Sequence, residues 1–176
     1  MKIVIPESGM DFIIQEKERL FHIEKSDLYK KLGEGVHTVE FVYLDNKSIL
    51  QFVEAKTTCP NANNKNESRE KQQKYEEYYQ ELTKKYEDSL GFLNSILMGI
   101  HQDIGIGKEI SAIQSYKNIR IRLFLVIKNA EEAWLGGSKA ELEQRLLSLR
   151  KIWKLDIQVL NEELAVKKGM IREING

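Results

Sequence analysis

Alternation of apolar and polar residues along two neighbouring runs predicts a β-hairpin over residues 38–59. Residues 45–47, Asp-Asn-Lys, separate the runs, and Asp and Asn favour the backbone angles of tight turns. A three-residue loop formed by residues 45–47 places Glu40 opposite Phe52 and diagonal to Glu54, with both carboxylates on one side of the sheet. We therefore expect the hairpin to bring two acidic side chains together.

The length of the hairpin loop decides whether these carboxylates meet. A two-residue loop would set Glu40 against Val53 and separate Glu40 from Glu54. Lys56 follows Glu54 by two residues, so it emerges on the same face as Glu54 because strand side chains alternate.

Periodicity along the rest of the chain predicts both helices and strands. Helices are predicted at residues 26–32, from Asn66 or Ser68 to about residue 97, at residues 108–115, and after a capping box at residues 138–141. Strands are predicted at residues 1–5, 119–127, 157–160 and 164–166. The long helix carries a stripe of apolar and aromatic side chains, among them Tyr75, Tyr78, Tyr79 and Tyr86. This order predicts an α+β (mixed α/β) fold in a single domain, residues 1–176.

Charged residues in the apolar surroundings of the hairpin indicate a chemical role. Glu54 and Lys56 belong to the run Phe-Val-Glu-Ala-Lys, and a buried carboxylate needs a partner or an ion. Glu40 and Glu54 are candidate ligands of Mg²⁺ or Mn²⁺, since such hard cations bind carboxylate oxygens and retain waters. Lys56 is a candidate to orient or help deprotonate an attacking water and to offset charge on phosphorus. The alternative is an ordinary half-exposed hairpin, because Glu and Lys two residues apart are common by chance.

These residues resemble the motif of the PD-(D/E)xK, or restriction-endonuclease-like, nuclease superfamily. Glu40 corresponds to the first acid, and Glu54-Ala55-Lys56 to the acid, any residue, lysine triplet on the next strand. The first acid of this family is usually Asp preceded by Pro, whereas Val39 precedes Glu40 here. The resemblance implies an αβββαβ core, with a mixed central sheet flanked by helices and a hairpin that carries the site.

The resemblance also implies a magnesium-dependent nuclease with a further glutamate from the helix before the first core strand. Glu24 is the candidate for that catalytic position, and Glu16, Glu18 and Glu34 are alternatives.

Composition and charge narrow the range of partners. The chain has one cysteine, which excludes an intramolecular disulfide and a thiolate zinc cluster. No apolar run is long enough to cross a membrane and no signal-peptide layout is present, so we expect a cytoplasmic protein without membrane contact. Lys and Arg total 27 and Asp and Glu total 27, so the formal net charge of zero argues against a dedicated nucleic-acid binder.

A nuclease needs only a local basic groove. Lys65, Arg69 and Lys74, at the start of the long helix, are candidate nucleic-acid contacts, although interleaved glutamates also fit a solvated helix face. Aromatic residues exposed on that helix would indicate a homodimer. Two function classes follow: a nuclease acting on DNA or RNA, and a catalytically inactive nuclease-fold domain that binds a protein or a nucleic acid.

Overall fold

A five-stranded mixed β-sheet forms the centre of the computed structural model, which describes residues 2–173. The strands of this part of the chain are β1 (Ile3–Glu7), β2 (Met10–Ile14), β3 (Leu20–Phe21), β4 (Phe41–Leu44), β5 (Ile49–Lys56), β6 (Arg120–Ile127) and β7 (Asp156–Asn161). Its α-helices are α1 (Asp27–Leu32), α2 (Arg69–Leu97), α3 (Lys108–Ser111), α4 (Glu132–Arg145), α5 (Leu147–Trp153) and α6 (Glu162–Lys167). This mixed content confirms the predicted fold class.

The central sheet has the strand order β3-β4-β5-β6-β7. Neighbours among β3, β4 and β5 are antiparallel, whereas β5, β6 and β7 run parallel. Parallel neighbours need long crossovers, which α2 provides between β5 and β6 and which α4 and α5 provide between β6 and β7. β1 and β2 form a separate antiparallel hairpin.

Apolar side chains cover both faces of the sheet. One face packs against α2, and Tyr75, Tyr79 and Tyr86 of that helix are buried there. Tyr79 donates a hydrogen bond to Ser138 Oγ at 2.8 Å, and Tyr86 donates one to the carbonyl of Phe124 at 2.7 Å. The aromatic stripe of α2 is therefore largely part of the core.

The second face of the sheet packs against the β1–β2 hairpin. Phe41, Val53 and Phe124 on this face share a core with Ile5 and Phe12. None of the helices within residues 2–173 combines the length and apolar character needed to cross a bilayer.

Several predicted helix and strand ends are confirmed. Ser26 caps α1 by accepting the Tyr29 N–H at 3.1 Å, and Ser68 caps α2 by accepting the Lys71 N–H at 3.1 Å. β6 and β7 cover the runs predicted at residues 119–127 and 157–160. Each of these ends has a local signal, either a capping hydroxyl or an alternating apolar run.

The capping box predicted at residues 138–141 is wrong. Helix α4 begins at Glu132, so Ser138 lies inside the helix, and its side chain is buried against Tyr79. A tertiary contact, rather than a cap, explains the serine at this position. The interruption of the helix comes at Leu146, between α4 and α5.

Three other predicted boundaries are also corrected. The strand predicted at residues 164–166 is helix α6, because Asn161 accepts the Leu164 N–H at 3.0 Å and caps a helix. The helix predicted at residues 108–115 ends at Ser111. The first strand runs over Ile3–Glu7 rather than residues 1–5, and Met1 lies outside the described residues, as do residues 174–176 of the predicted domain.

Candidate metal centre

The strand register brings Glu40 beside Glu54, but the pairing of the two strands differs from the predicted pairing. The loop comprises residues 46–48, not 45–47, because the Asp45 carboxylate accepts the N–H groups of Lys47 and Ile49 and holds Asp45 at the end of its strand. Phe52 consequently pairs with Val42, not with Glu40.

A local irregularity precedes β4. Phe41 pairs with Val53, and the Glu40 N–H also donates to the Val53 carbonyl at 3.1 Å. Two successive residues therefore oppose one, as in a β-bulge, a feature that re-aims side chains. Val39 anchors this segment to α2 by donating to Ser89 Oγ at 2.8 Å. Glu40 thus sits beside the end of β5 that carries Glu54.

Glu54 occupies a buried row on the α2 face of the sheet. Leu50 and Phe52 precede it on that face and pack in the α2 core. Glu54 is 0% exposed and Glu40 is 7% exposed. Burial of two carboxylates in one region is costly unless charge or hydrogen bonds compensate.

Two further carboxylates complete the cluster. Glu24 lies on a short 3₁₀ turn, Ile23–Lys25, whose backbone approaches that of Glu40, with Glu24 N and Glu40 O 3.5 Å apart. Glu7 lies at the end of β1. One carboxylate oxygen from each of Glu7, Glu24 and Glu40 lies within 4.8 Å of the others. These three carboxylates, together with Glu54, whose charge acts on Glu40, form what we call the acid cluster: Glu7, Glu24, Glu40 and Glu54.

Sequence reasoning missed Glu7. The tip of the β1–β2 hairpin docks on the central sheet, since Ser8 Oγ donates to the Ala55 carbonyl at 3.0 Å and Lys128 Nζ donates to the Gly9 carbonyl at 2.8 Å. Glu7 then accepts a hydrogen bond from Lys25 at 2.8 Å and lies 3.3 Å from His22 Nε2. No sequence signal marks this docking, because its contacts join residues far apart in the chain.

The surroundings of the acid cluster shift the pKa values of Glu40, Glu54 and His22. The pKa of Glu40 rises to about 9, chiefly through burial, then through hydrogen bonding to Glu24 and the charges of Glu54, Glu24 and Glu7. Burial also raises the pKa of Glu54, although Lys85 and then Lys56 oppose the rise. The pKa of His22 is lowered by burial and by Lys25. Without a cation, the cluster therefore favours retention of a proton.

Two buried oxygens of the cluster have no hydrogen-bond donor. They are Oε2 of Glu40 and Oε2 of Glu54, and neither finds a partner among residues 2–173. An unsatisfied buried acceptor costs roughly 1–3 kcal/mol, and more when charged. A divalent cation bound at such an oxygen would remove that cost, and carboxylate ligands suit Mg²⁺ or Mn²⁺.

The other oxygen of Glu54 is held by lysines. Lys85 of α2 donates to Glu54 Oε1 at 2.8 Å, and Lys56 Nζ lies 3.4 Å from the same oxygen. Lys56 makes its shorter contact, 2.8 Å, with Glu81 Oε1 of α2. Lys85 and Glu81 were not predicted, because nothing in the sequence distinguishes them from the many other charged residues of α2.

One member of the acid cluster, Glu24, is partly exposed to solvent. Glu24 lines a cavity of about 640 Å³ together with Tyr29, Lys30, His37 and the glycine-rich segment between α1 and β4. Glu34, an alternative candidate for the helix glutamate, lines this cavity without being among the clustered acids. Glu16 pairs with Arg19 at 3.2 Å, and Glu18 lies on the neighbouring 3₁₀ turn.

The predicted nucleic-acid contacts lie away from this centre. Lys74 pairs with Glu70 at 2.6 Å, and Lys65 Nζ lies 4.4 Å from the ring centroid of Tyr75. Arg69 is exposed at the first position of α2. At about 1.5 Å rise per residue, Lys74 lies about 16 Å from Lys85 along the helix axis. These residues could meet only a distant part of a long substrate.

Comparison with known proteins yields no assignment: no family model, curated protein or solved structure matches this chain. The site itself combines clustered carboxylates, a ligand type that hard divalent cations bind, with the ammonium groups of Lys56 and Lys85.

Proposed function

We propose that the protein is a metal-dependent phosphodiesterase that acts on nucleic acid. One observation carries the proposal, namely the two buried oxygens of the acid cluster, Glu40 Oε2 and Glu54 Oε2, that have no hydrogen-bond donor among residues 2–173. A purely structural cluster would gain by pairing every buried oxygen with a donor. The resemblance of Glu40 and Glu54-Ala55-Lys56 to the PD-(D/E)xK motif supports the same function.

Glu40 and Glu54 would bind Mg²⁺ or Mn²⁺, and Glu24 and Glu7 are candidates for further ligands. The bound ion would polarise a phosphoryl oxygen and lower the pKa of a water. In the hydrolysis, the water oxygen bonds to phosphorus and the bond from phosphorus to one ester oxygen breaks. One water proton passes to solvent, and the leaving oxygen takes up a proton. The products are a phosphomonoester and a hydroxyl group.

The residues of the chain would supply charge and orientation. The carboxylates fix the water relative to the phosphodiester, and an ammonium group offsets charge that develops on the phosphoryl oxygens. A cytoplasmic location is part of this proposal. DNA and RNA both present the phosphodiester on which the chemistry acts.

A second candidate function rests on the ion pairs of Glu54. Lys85 and Lys56 both approach Glu54 Oε1, and such pairing also fits a nuclease fold that has lost activity and binds a partner. Metal binding separates the two functions, since the inactive domain needs no ion.

Calorimetry with Mn²⁺ and Mg²⁺, followed by cleavage of mixed DNA and RNA substrates, tests the proposal. We expect wild type to bind metal and to cleave, and Glu54→Gln to lose both activities. Glu87→Gln is the matched control, because Glu87 is an exposed glutamate of α2. Binding without cleavage would leave only a metal site. The proposal would be refuted if wild type neither bound metal nor cleaved nucleic acid, or if Glu54→Gln bound metal and cleaved as well as wild type.

A further inference from the structure

Two lysines, Lys56 and Lys85, contact Glu54, whereas the PD-(D/E)xK motif assigns the catalytic ammonium to a single lysine. The motif places the catalytic ammonium at Lys56, on β5 two residues after Glu54. Lys85 extends from α2 and makes the shorter contact with Glu54 Oε1, 2.8 Å against 3.4 Å for Lys56. The structure therefore offers a second source of positive charge at the acid cluster.

Lys56 is shared between the acid cluster and another acid. Its shorter contact, 2.8 Å, is with Glu81, a half-exposed residue at the surface of α2, and it lies 3.4 Å from Glu54 Oε1. A phosphodiester bound at the cluster would have to displace Glu81 before it could use Lys56.

Lys85 is oriented toward the acid cluster. Its side chain is 13% exposed, and within residues 2–173 its ion-pair partner is Glu54. Lys85 donates a 2.8 Å hydrogen bond to Glu54 Oε1, so its ammonium lies against the acid cluster.

We propose that Lys85, rather than Lys56, presents the ammonium that contacts the phosphoryl group of the substrate. This inference rests on the proposed function, since it concerns the same site and the same reaction. Lys85 remains protonated throughout: it donates a hydrogen bond to a non-bridging oxygen and takes no proton from the attacking water. Its role is electrostatic, whereas Lys56 and Glu81 form a surface ion pair at the edge of the site.

Cleavage rates of three alanine variants test the assignment. We expect Lys85→Ala to lose at least about 100-fold in single-turnover cleavage rate with saturating Mn²⁺, as for removal of other donors that stabilise transition-state charge. Lys56→Ala should lose less than about tenfold. Lys84→Ala is the matched control, because Lys84 is the adjacent residue of α2 and pairs with Asp88 at the surface. The reverse order of Lys85→Ala and Lys56→Ala would overturn the inference.

A binding measurement gives a readout that does not depend on catalysis. Fluorescence anisotropy of a labelled DNA oligonucleotide, with Ca²⁺ in place of Mn²⁺, measures the affinity of the protein for DNA. The dependence of that affinity on salt concentration reports the number of phosphate contacts. We expect the slope of log affinity against log salt to fall by about one for Lys85→Ala and to stay constant for Lys56→Ala and Lys84→Ala. An unchanged slope for Lys85→Ala would count against a phosphate contact.

Rescue with a small amine separates a lost ammonium from a lost structure. Ethylammonium chloride should restore part of the Lys85→Ala rate, whereas sodium chloride at equal ionic strength should not. Lack of rescue in a variant that still unfolds cooperatively and binds Mn²⁺ like wild type would refute the inference. If Lys85→Ala does not fold, Lys85→Gln replaces it, with the same expected order against Lys56→Gln.

Wild-type behaviour distinguishes the two proposals. A wild-type protein that cleaves with Lys56 as the essential lysine would refute the role of Lys85 and leave the nuclease proposal standing. A wild-type protein that neither binds metal nor cleaves would refute both.

Discussion

The metal-free acid cluster should lower the stability of the protein as pH rises, and Glu40→Gln should remove this effect. The pKa of Glu40 is raised to about 9, mainly by burial and by hydrogen bonding to Glu24. Between about pH 7 and pH 8.5 the unfolded chain has lost the Glu40 proton, whereas the folded protein retains it. The folded state binds more protons than the unfolded state, so stability falls with rising pH.

The magnitude follows from proton linkage. Each pH unit changes the free energy of unfolding by about 1.36 kcal/mol per proton, so about 1.5 units remove about 2 kcal/mol through Glu40. Glu54 contributes in the same direction, because burial raises its pKa as well. His22 contributes little in this window, because burial lowers its pKa below the ordinary value. Glu40→Gln has no proton to lose, so its stability should depend less on pH.

Urea unfolding followed by circular dichroism, in the presence of EDTA, measures this difference. We expect Glu40→Gln to be more stable than wild type at the upper end of the pH range, and the Glu87→Gln control to follow wild type. With Mn²⁺ at about 100 times its dissociation constant, wild type should gain about 2.7 kcal/mol and Glu40→Gln should not. A wild-type stability that stays constant or rises between these pH values would refute the reasoning.

Two other substitutions test the fold that holds the site. Gly107→Ala should destabilise the protein by about 1–3 kcal/mol in urea unfolding, because its Cβ would lie 2.3 Å from the backbone oxygen of Glu18. The control Gly136→Ala, in open space on α4, should be neutral or stabilising by about 0.5–1 kcal/mol, and equal effects of the two variants would contradict this packing. Tyr86→Phe should cost about 0.5–1.5 kcal/mol, because it removes the buried hydrogen bond that the Tyr86 hydroxyl donates to the carbonyl of Phe124. A Tyr86→Phe variant as stable as wild type would mean that another donor replaces the hydroxyl.

Elements with local signals were predictable. Alternation of apolar residues located β5, β6 and β7, and the hydroxyls of Ser26 and Ser68 marked the starts of two helices. Errors arose where a local signal competed with a tertiary contact. Ser138 matches a capping pattern, yet the burial of Tyr79 beside it determines its position within α4.

The candidate site was likewise predictable only where a local sequence signal existed. The pattern around Glu54 and Lys56 placed both residues on one strand, and the turn residues paired that strand with the one that follows Glu40. The register was wrong by two residues, because the Asp45 side chain folds back on the turn and shifts the loop toward β5. The carboxylates still come together, because a shift of two residues preserves the faces of paired side chains and the bulge at Glu40 re-aims its side chain.

The amino-acid sequence by itself determined the mixed α+β content, the hairpin and the presence of an acid-rich strand pair, because these depend on residues close together in the chain. Only the tertiary structure decided that Glu7 joins the acid cluster and that Lys85 reaches Glu54 from α2. Both placements depend on how separate elements dock on the sheet. Docking is set by the sum of many weak apolar contacts across the core, and no short sequence pattern records that sum.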